Sequence, residues 1–290
     1  METKAPRPLA VVTGASSGIG YHLACCAAEH GYDLLVAADQ PLEDAVADFK
    51  SLGAERVDVV QAELASREGV DQLCARIEGR PVAALMANAG HGLGGAFLAQ
   101  DFKAVQHVID TNITGTLYLL HKLVPAMKAA GDGRVLITGS VAGFMPGSFH
   151  AVYNASKAFV DSFSIALRDE LKDSGVTVSL LMPGATDTEF FERADMMDTK
   201  IGADAKKDDP AMVARMGFDA MLKGEADVVT GWRNRMQVAA AKVMPSQAVA
   251  AAHRKMAEPG TARHDHPENE HDHPVPEGEQ ASGTIAPPAR

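Results

Sequence analysis

Seven short apolar runs, separated by longer stretches of helical periodicity, constrain this chain more than any other feature. They are LAVVTG (9–14), DLLVAA (33–38), VDVVQA (57–62), VAALMANAG (82–90), RVLITGS (134–140), TVSLLMPG (177–184) and DVVTGW (227–232). Near-continuous apolarity marks strands buried on both faces. Strands that alternate with helices connect by right-handed crossovers and make a parallel sheet. The expected fold class is therefore α/β, a doubly wound parallel seven-stranded sheet with helices on both faces. With 46% hydrophobic residues in 290, the chain can fill such a core. Ligands of these sheets bind beyond the carboxyl ends of the strands. Functional residues are expected where each run stops.

The first run stops at TGASSGIG (13–20). Gly14, Gly18 and Gly20 allow a tight turn and a close approach of ligand to backbone. The helix that starts there offers unpaired N–H groups and a positive dipole end to a pyrophosphate. Further on, AVYNASKAFVDSF (151–163) puts Tyr153 and Lys157 four residues apart, on one helical face.

The order of motifs resembles the short-chain dehydrogenase/reductase family of single-domain type, from about Arg7 to Trp232. TGASSGIG matches the cofactor turn TGxxxGxG. ANAG (87–90) resembles NNAG, with Ala87 replacing the first Asn. Asn112 in DTNITGT matches the helix-four asparagine, Ser140 the catalytic serine, YNASK the YxxxK motif, and PGATDT (183–188) the PGxxxT after strand six. The resemblance implies an NAD(P)-dependent oxidoreductase that interconverts a secondary alcohol and a ketone. Its implied catalytic residues are Ser140, Tyr153, Lys157 and Asn112. A free tyrosine titrates near ~10. A neighbouring ammonium and a positive oxidised nicotinamide are expected to lower that value and make Tyr153 an effective general acid–base. Ser140 would stabilise the charge developing on the substrate oxygen. By resemblance Lys157 also binds the nicotinamide ribose, and Asn112 holds a relay water; the alternative for Asn112 is a sheet-bridging residue.

The resemblance further implies cofactor contacts from Gly14, Ser16, Ser17, Gly18, Ile19, Gly20, Asp39, Glu63, Leu64, Asn88, Ala89, Gly90, Tyr153, Lys157, Pro183, Gly184, Thr186 and Thr188. The end of the second run selects the cofactor. No base lies between Asp33 and Phe49. An acid there accepts a hydrogen bond from the ribose 2′-OH and repels a 2′-phosphate. Asp39 thus favours NAD over NADP, although it also suits the cap of a helix at Pro41. A base from elsewhere, such as Arg67 or Lys4, would restore NADP and an NADPH-dependent carbonyl reductase. A second alternative is a nicotinamide-binding redox sensor of low turnover.

The resemblance places the substrate pocket over the nicotinamide, after strands four to six. Ser140, Phe144, Phe149, Tyr153 and Phe190 are its expected substrate residues, and the Phe and Met side chains of these loops suggest an apolar substrate. Residues 186–206 have mixed polarity and no strand signal, as in a mobile lid. His91 and His150 are the polar groups of these loops.

The formal net charge of −11 argues against general nucleic-acid binding. No run of 18 apolar residues suggests a membrane span. The N-terminus reads as a first strand rather than a signal peptide. Cys25, Cys26 and Cys74 lack metal-ligand spacing, and no metal site is expected; their odd number suits reduced thiols in the cytoplasm. Three segments are expected. Residues 1–245 form the dinucleotide-binding domain with its substrate pocket, 246–257 a helical extension, and 258–290 a disordered His/Pro/acidic tail with seven acids against two bases. Two HDHP repeats, at 264–267 and 271–274, read as solvated. The long apolar helices over 101–130 and 151–175 imply, by resemblance, a homodimer or homotetramer.

Overall fold

A computed structural model describes residues 6–262, so Lys4 and both HDHP repeats lie outside the described residues. The seven runs become β1 (Leu9–Thr13), β2 (Asp33–Ala38), β3 (Val57–Gln61), β4 (Val82–Ala87), β5 (Gly133–Thr138), β6 (Val176–Met182) and β7 (Asp227–Val229). All neighbours pair in parallel, in the order β3-β2-β1-β4-β5-β6-β7. The order reverses between β1 and β4, which opens a crevice above their carboxyl ends.

Several expected runs overshoot the strands at this end. The sheet releases Gly14, Asn88–Gly90, Gly139–Ser140 and Pro183–Gly184 as turns. Glycine and proline weaken the ladder there, and the freed residues line the crevice.

The apolar strands are buried because helices cover both faces. On one face α1 (Gly18–Glu29), α2 (Glu43–Ser51) and α8 (Pro210–Lys223) pack Leu23, Phe49, Phe218 and Met221 against Val12, Leu34 and Val36. On the other, α3 (Arg67–Ala75), α5 (Thr116–Ala130) and α6 (Ala151–Glu170) pack Leu73, Leu120 and Val160 against Val11, Leu35 and Ile137. The long helical pattern over 101–130 is interrupted. α4 (Phe102–Ile109) runs into a wide π turn, Asp110–Gly115, before α5 begins. Two contacts account for the turn. Asn112 is tied sideways to the main chain of His91, and a side chain at Gly115 would overlap the Leu64 carbonyl.

Past β6 the chain forms the four-residue α7 (Phe190–Arg193), and past β7 it forms α9 (Trp232–Val243) and α10 (Ser246–Ala257). The end of the described chain clasps the segment after α7. Ile201 donates its N–H to Met256 O at 3.0 Å, Ala262 donates to Asp198 O at 2.9 Å, and Gly260 donates to the Asp198 carboxylate at 3.0 Å. Among the described residues, no helix is long and apolar enough to cross a membrane. Nor does any group of three His, Cys, Asp or Glu residues suit a metal ion.

Candidate active site

The crevice above β1 and β4 is lined by Gly14, Ser16, Ser17, Gly18 and Ile19 from the first turn, and by Asn88–Gly90, Pro183, Gly184, Thr186 and Thr188 from the later ones. Gly14 (φ +68°) and Gly18 (φ +56°) hold left-handed backbone that favours glycine, and a Cβ at Gly14 would meet Ala89 at 3.0 Å. Gly20 has a different task. It lies beneath the turn rather than in its lining, and a Cβ there would overlap the Gly14 carbonyl. Thr13 and Asn88 fix the cradle. The Thr13 hydroxyl accepts the N–H groups of Asn88 and Ala89, both at 3.0 Å, while Asn88 accepts from Thr138 Oγ1 at 3.1 Å. This empty-sided, N–H-rich turn at a helix start fits a dinucleotide pyrophosphate.

Asp39, Glu63 and Leu64 line the same crevice. Asp39 is not a helix cap, since α2 starts at Glu43 behind Leu42. Its carboxylate faces Arg193 of α7 instead, at 3.9 Å. Of the expected alternative bases, Arg67 lies over the Tyr118 ring at 5.7 Å instead, and Lys4 is outside the described residues. Arg193, 154 positions further along the chain, carries no sequence signal that would assign it here. Glu63 Oε1 accepts from Ala65 N at 2.9 Å, which orders the turn after β3.

Ser140, Tyr153 and Lys157 come together and are all buried. Ser140 caps a short 3-10 turn: its Oγ accepts from Ala142 N at 3.1 Å and donates to Pro183 O at 3.4 Å. Its side chain also stands beside the Tyr153 phenol. Lys157 donates through Nζ to Thr138 O at 2.8 Å, with Nζ 5.9 Å from the Tyr153 ring centre.

The electrostatics correct one expectation. Burial pushes Tyr153 up to about 12, against a lowering by the Ser140 hydrogen bond. Lys157 does not offset this burial: its Nζ is turned to the Thr138 carbonyl, and burial brings the ammonium itself down to about 8. Phe190 and His150 cover the phenol, with ring centres 5.0 and 4.5 Å away.

Asn112 is engaged through every polar side-chain atom. Oδ1 accepts from His91 N at 2.7 Å, and Nδ2 donates to His91 O and Ser156 Oγ, each at 2.9 Å. The geometry is that of a residue bridging the β4 turn to α6.

Phe190 lines the crevice, as expected; Phe144 and Phe149 do not. Phe144 packs with Val141 and Val238 beneath Lys242, and Phe149 with Phe191 and Ala257 beneath Arg254. The packing of α9 and α10 decides this, and loop composition does not reveal it. Those helices put Gln237, His253 and Met256 into the lining.

Asp161 was missed, although its place one turn beyond Lys157 continues the Tyr153–Lys157 face. The carboxyl nests against Gly139 and Gly143, where any side chain would overlap it, and Oδ1 accepts from Ser140 N at 3.3 Å. Burial raises it to about 7, opposed by Lys157. A group raised on folding loses stability as pH rises from its unfolded value, ~3.9, through its folded value. Asp161→Asn removes that loss. Melting curves at pH 5 and pH 7 are expected to show the variant gaining on the wild type by several degrees, and an unchanged gap would contradict the buried carboxylate.

The family model described as short chain dehydrogenase matches residues 8–198. The chain is 36% identical over 192 residues to 17-beta-hydroxysteroid dehydrogenase type 1 of Mus musculus, covering 63% of this chain and 55% of that one. The chain thus spans about half the length of that relative. It is 30% identical to an uncharacterized oxidoreductase of Myxococcus xanthus, over 85% of this chain and 96% of that one. A solved short-chain dehydrogenase from Sphingobium yanoikuyae, in complex with NADPH, superposes with a TM-score of 0.73 at 28% identity over 85% of this chain and 94% of that one. A short chain dehydrogenase/reductase from Burkholderia phymatum, in complex with NAD, has the same fold, with a TM-score of 0.73 at 24% identity over 80% of this chain and 92% of that one.

Proposed function

The chain belongs to the short-chain dehydrogenase family, and we propose that it is an oxidoreductase that interconverts a secondary alcohol and a ketone with Tyr153 as general acid–base. One observation carries the reading: Ser140, Tyr153 and Lys157 converge, buried, beside a glycine cradle shaped for a dinucleotide. A nicotinamide dinucleotide would supply the hydride donor or acceptor. The N–H groups of the first turn would hold its pyrophosphate, and Lys157 and Thr188 would hold its nicotinamide half.

Tyr153 holds its proton at neutral pH, because burial disfavours the phenolate. It is therefore set to protonate a carbonyl oxygen as that oxygen gains charge. Ser140 Oγ steadies the same oxygen with a hydrogen bond. Alcohol oxidation runs in reverse and needs Tyr153 ionised, which the Lys157 ammonium favours once the substrate displaces Phe190. The Asn112 side chain is occupied, so a relay water would sit on main-chain groups freed by the π turn, a local geometry common at functional sites.

NAD is the proposed cofactor, with Asp39 accepting from the ribose 2′-OH. Arg193 favours a second reading, NADPH-linked carbonyl reduction, since it is a base within reach of a 2′-phosphate. Parallel fluorescence titrations decide between them. NADH is expected to bind about tenfold or more tighter than NADPH, and Asp39→Ser to narrow that gap by removing a carboxylate that repels a 2′-phosphate and leaving Arg193 paired with Glu189 alone. Tighter NADPH binding in the wild type would transfer the assignment to the second reading.

The proposed partner is a second copy of the chain. Phe159 of α6 is 42% exposed and its ring stacks on Phe163, which lines a groove with Leu117 and Tyr118. Such exposed apolar surface marks an interface.

A further inference from the structure

Among the polar side chains of the cleft that this scheme leaves unused is His150. It lies just before α6 and is 4% exposed. Its ring stacks on that of Tyr153, with centroids 4.5 Å apart and planes 18° from parallel. Nε2 is buried and has no hydrogen-bond partner. Leaving such a nitrogen unpaired costs free energy, and a hydrogen-bonding ligand in the cleft would remove that cost.

The neighbouring polar groups do not supply the partner. His253 is committed at both nitrogens. Nδ1 lies 3.0 Å from Ser148 O and Nε2 3.5 Å from Asn154 Nδ2, so the ring donates through Nδ1 and accepts at Nε2. Asn154 Nδ2 also donates to Met145 O at 3.0 Å. Burial, with His253 a lesser cause, brings His150 down to about 3 and keeps its imidazole neutral. A neutral imidazole suits a neutral oxygen better than a carboxylate.

Phe190 explains why the nitrogen is covered. Its ring lies 5.0 Å from that of Tyr153 and 6.2 Å from that of His150. Phe190 packs beside both rings, so a ligand that displaces it would uncover Tyr153 and His150 together.

We propose that His150 is a substrate-binding residue whose Nε2 hydrogen-bonds a second, neutral oxygen of the substrate. The favoured substrates are then ketones with an oxygen function beside the reacting carbon or one carbon removed: hydroxyketones, diketones and 3-oxo esters. The close stacking of the two rings sets that short spacing. This inference rests on the alcohol–ketone reading of the site.

Matched ketone pairs test it: acetoin against 2-butanone, and 2-hydroxyacetophenone against acetophenone, with the wild type, His150→Phe and His150→Gln. The wild type is expected to favour the hydroxylated member of each pair by about tenfold or more in kcat/KM. His150→Phe keeps a flat ring on Tyr153 and should erase the preference within each pair, with NADH affinity unchanged. His150→Gln restores part of the preference, and carries the comparison if the Phe variant does not fold. Equal preference in the wild type and both variants, with the ketones still reduced, overturns the role of His150 and leaves the alcohol–ketone reading standing. Failure of the wild type to reduce any of the four ketones with NADH or NADPH overturns both.

Discussion

Tyr153→Phe is expected to lower kcat/KM for ketone reduction by roughly 10²–10⁴-fold while leaving NADH affinity and melting temperature near wild type. The surroundings of the ring dictate this separation. His150 stacks on its face and Phe190 packs beside it, and neither contact involves the hydroxyl. Ser140 keeps its bonds to Ala142 N and Pro183 O. The phenol is already pushed toward its neutral form by burial, so removing the hydroxyl relieves no ionised group. What disappears is the proton that a carbonyl oxygen must receive. Steady-state kinetics beside a fluorescence titration check both halves. Retained turnover would remove Tyr153 from the chemistry. Retained NADH binding without turnover would also set aside a low-turnover redox sensor, whose output needs no acid–base.

Lys157→Met is expected to fail differently. It should lose roughly 10²-fold or more in kcat/KM and also weaken NADH binding, because one ammonium is asked to favour the tyrosinate and to hold the cofactor ribose. Its structural bond, to Thr138 O at 2.8 Å, goes as well. Asp161 then stays buried without the cation that opposes its rise, so the variant should also melt lower, with a deficit that widens as pH climbs through about 7. Residues that act as a unit are not additive in their losses. The Tyr153→Phe, Lys157→Met double variant is expected to turn over no more slowly than the worse single variant. Additive losses would mean that the two residues serve separate steps.

Much of this site was legible because its chemistry is encoded locally. A glycine turn at the end of a strand, or a tyrosine and lysine one helical turn apart, brings its own geometry. The seven strands were legible for the same reason, since burial on both faces leaves unbroken apolar runs. Asp161 was equally readable, one further turn along α6. Other features depend on contacts between distant parts of the chain. Arg193 meets Asp39 only because α7 folds across the crevice. Phe144 and Phe149 leave the lining because α9 and α10 cover them, and His253 enters it by the same packing. The π turn at Asn112 follows from its bonds to the β4 turn, which no periodicity over 101–130 records. The direction of the Tyr153 shift also escaped the sequence, because charge proximity was legible and the depth of burial was not.

Tracing the hydrogen tests the central claim most directly. A ketone reduced with NADH deuterated at the transferring position, in ordinary water, should yield alcohol carrying one deuterium on the carbinol carbon by mass spectrometry. Unlabelled NADH in deuterium oxide should leave that carbon unlabelled, since Tyr153 delivers solvent protons to oxygen only. Deuterium on the carbon from water, or unconsumed NADH with no alcohol formed, would contradict the account.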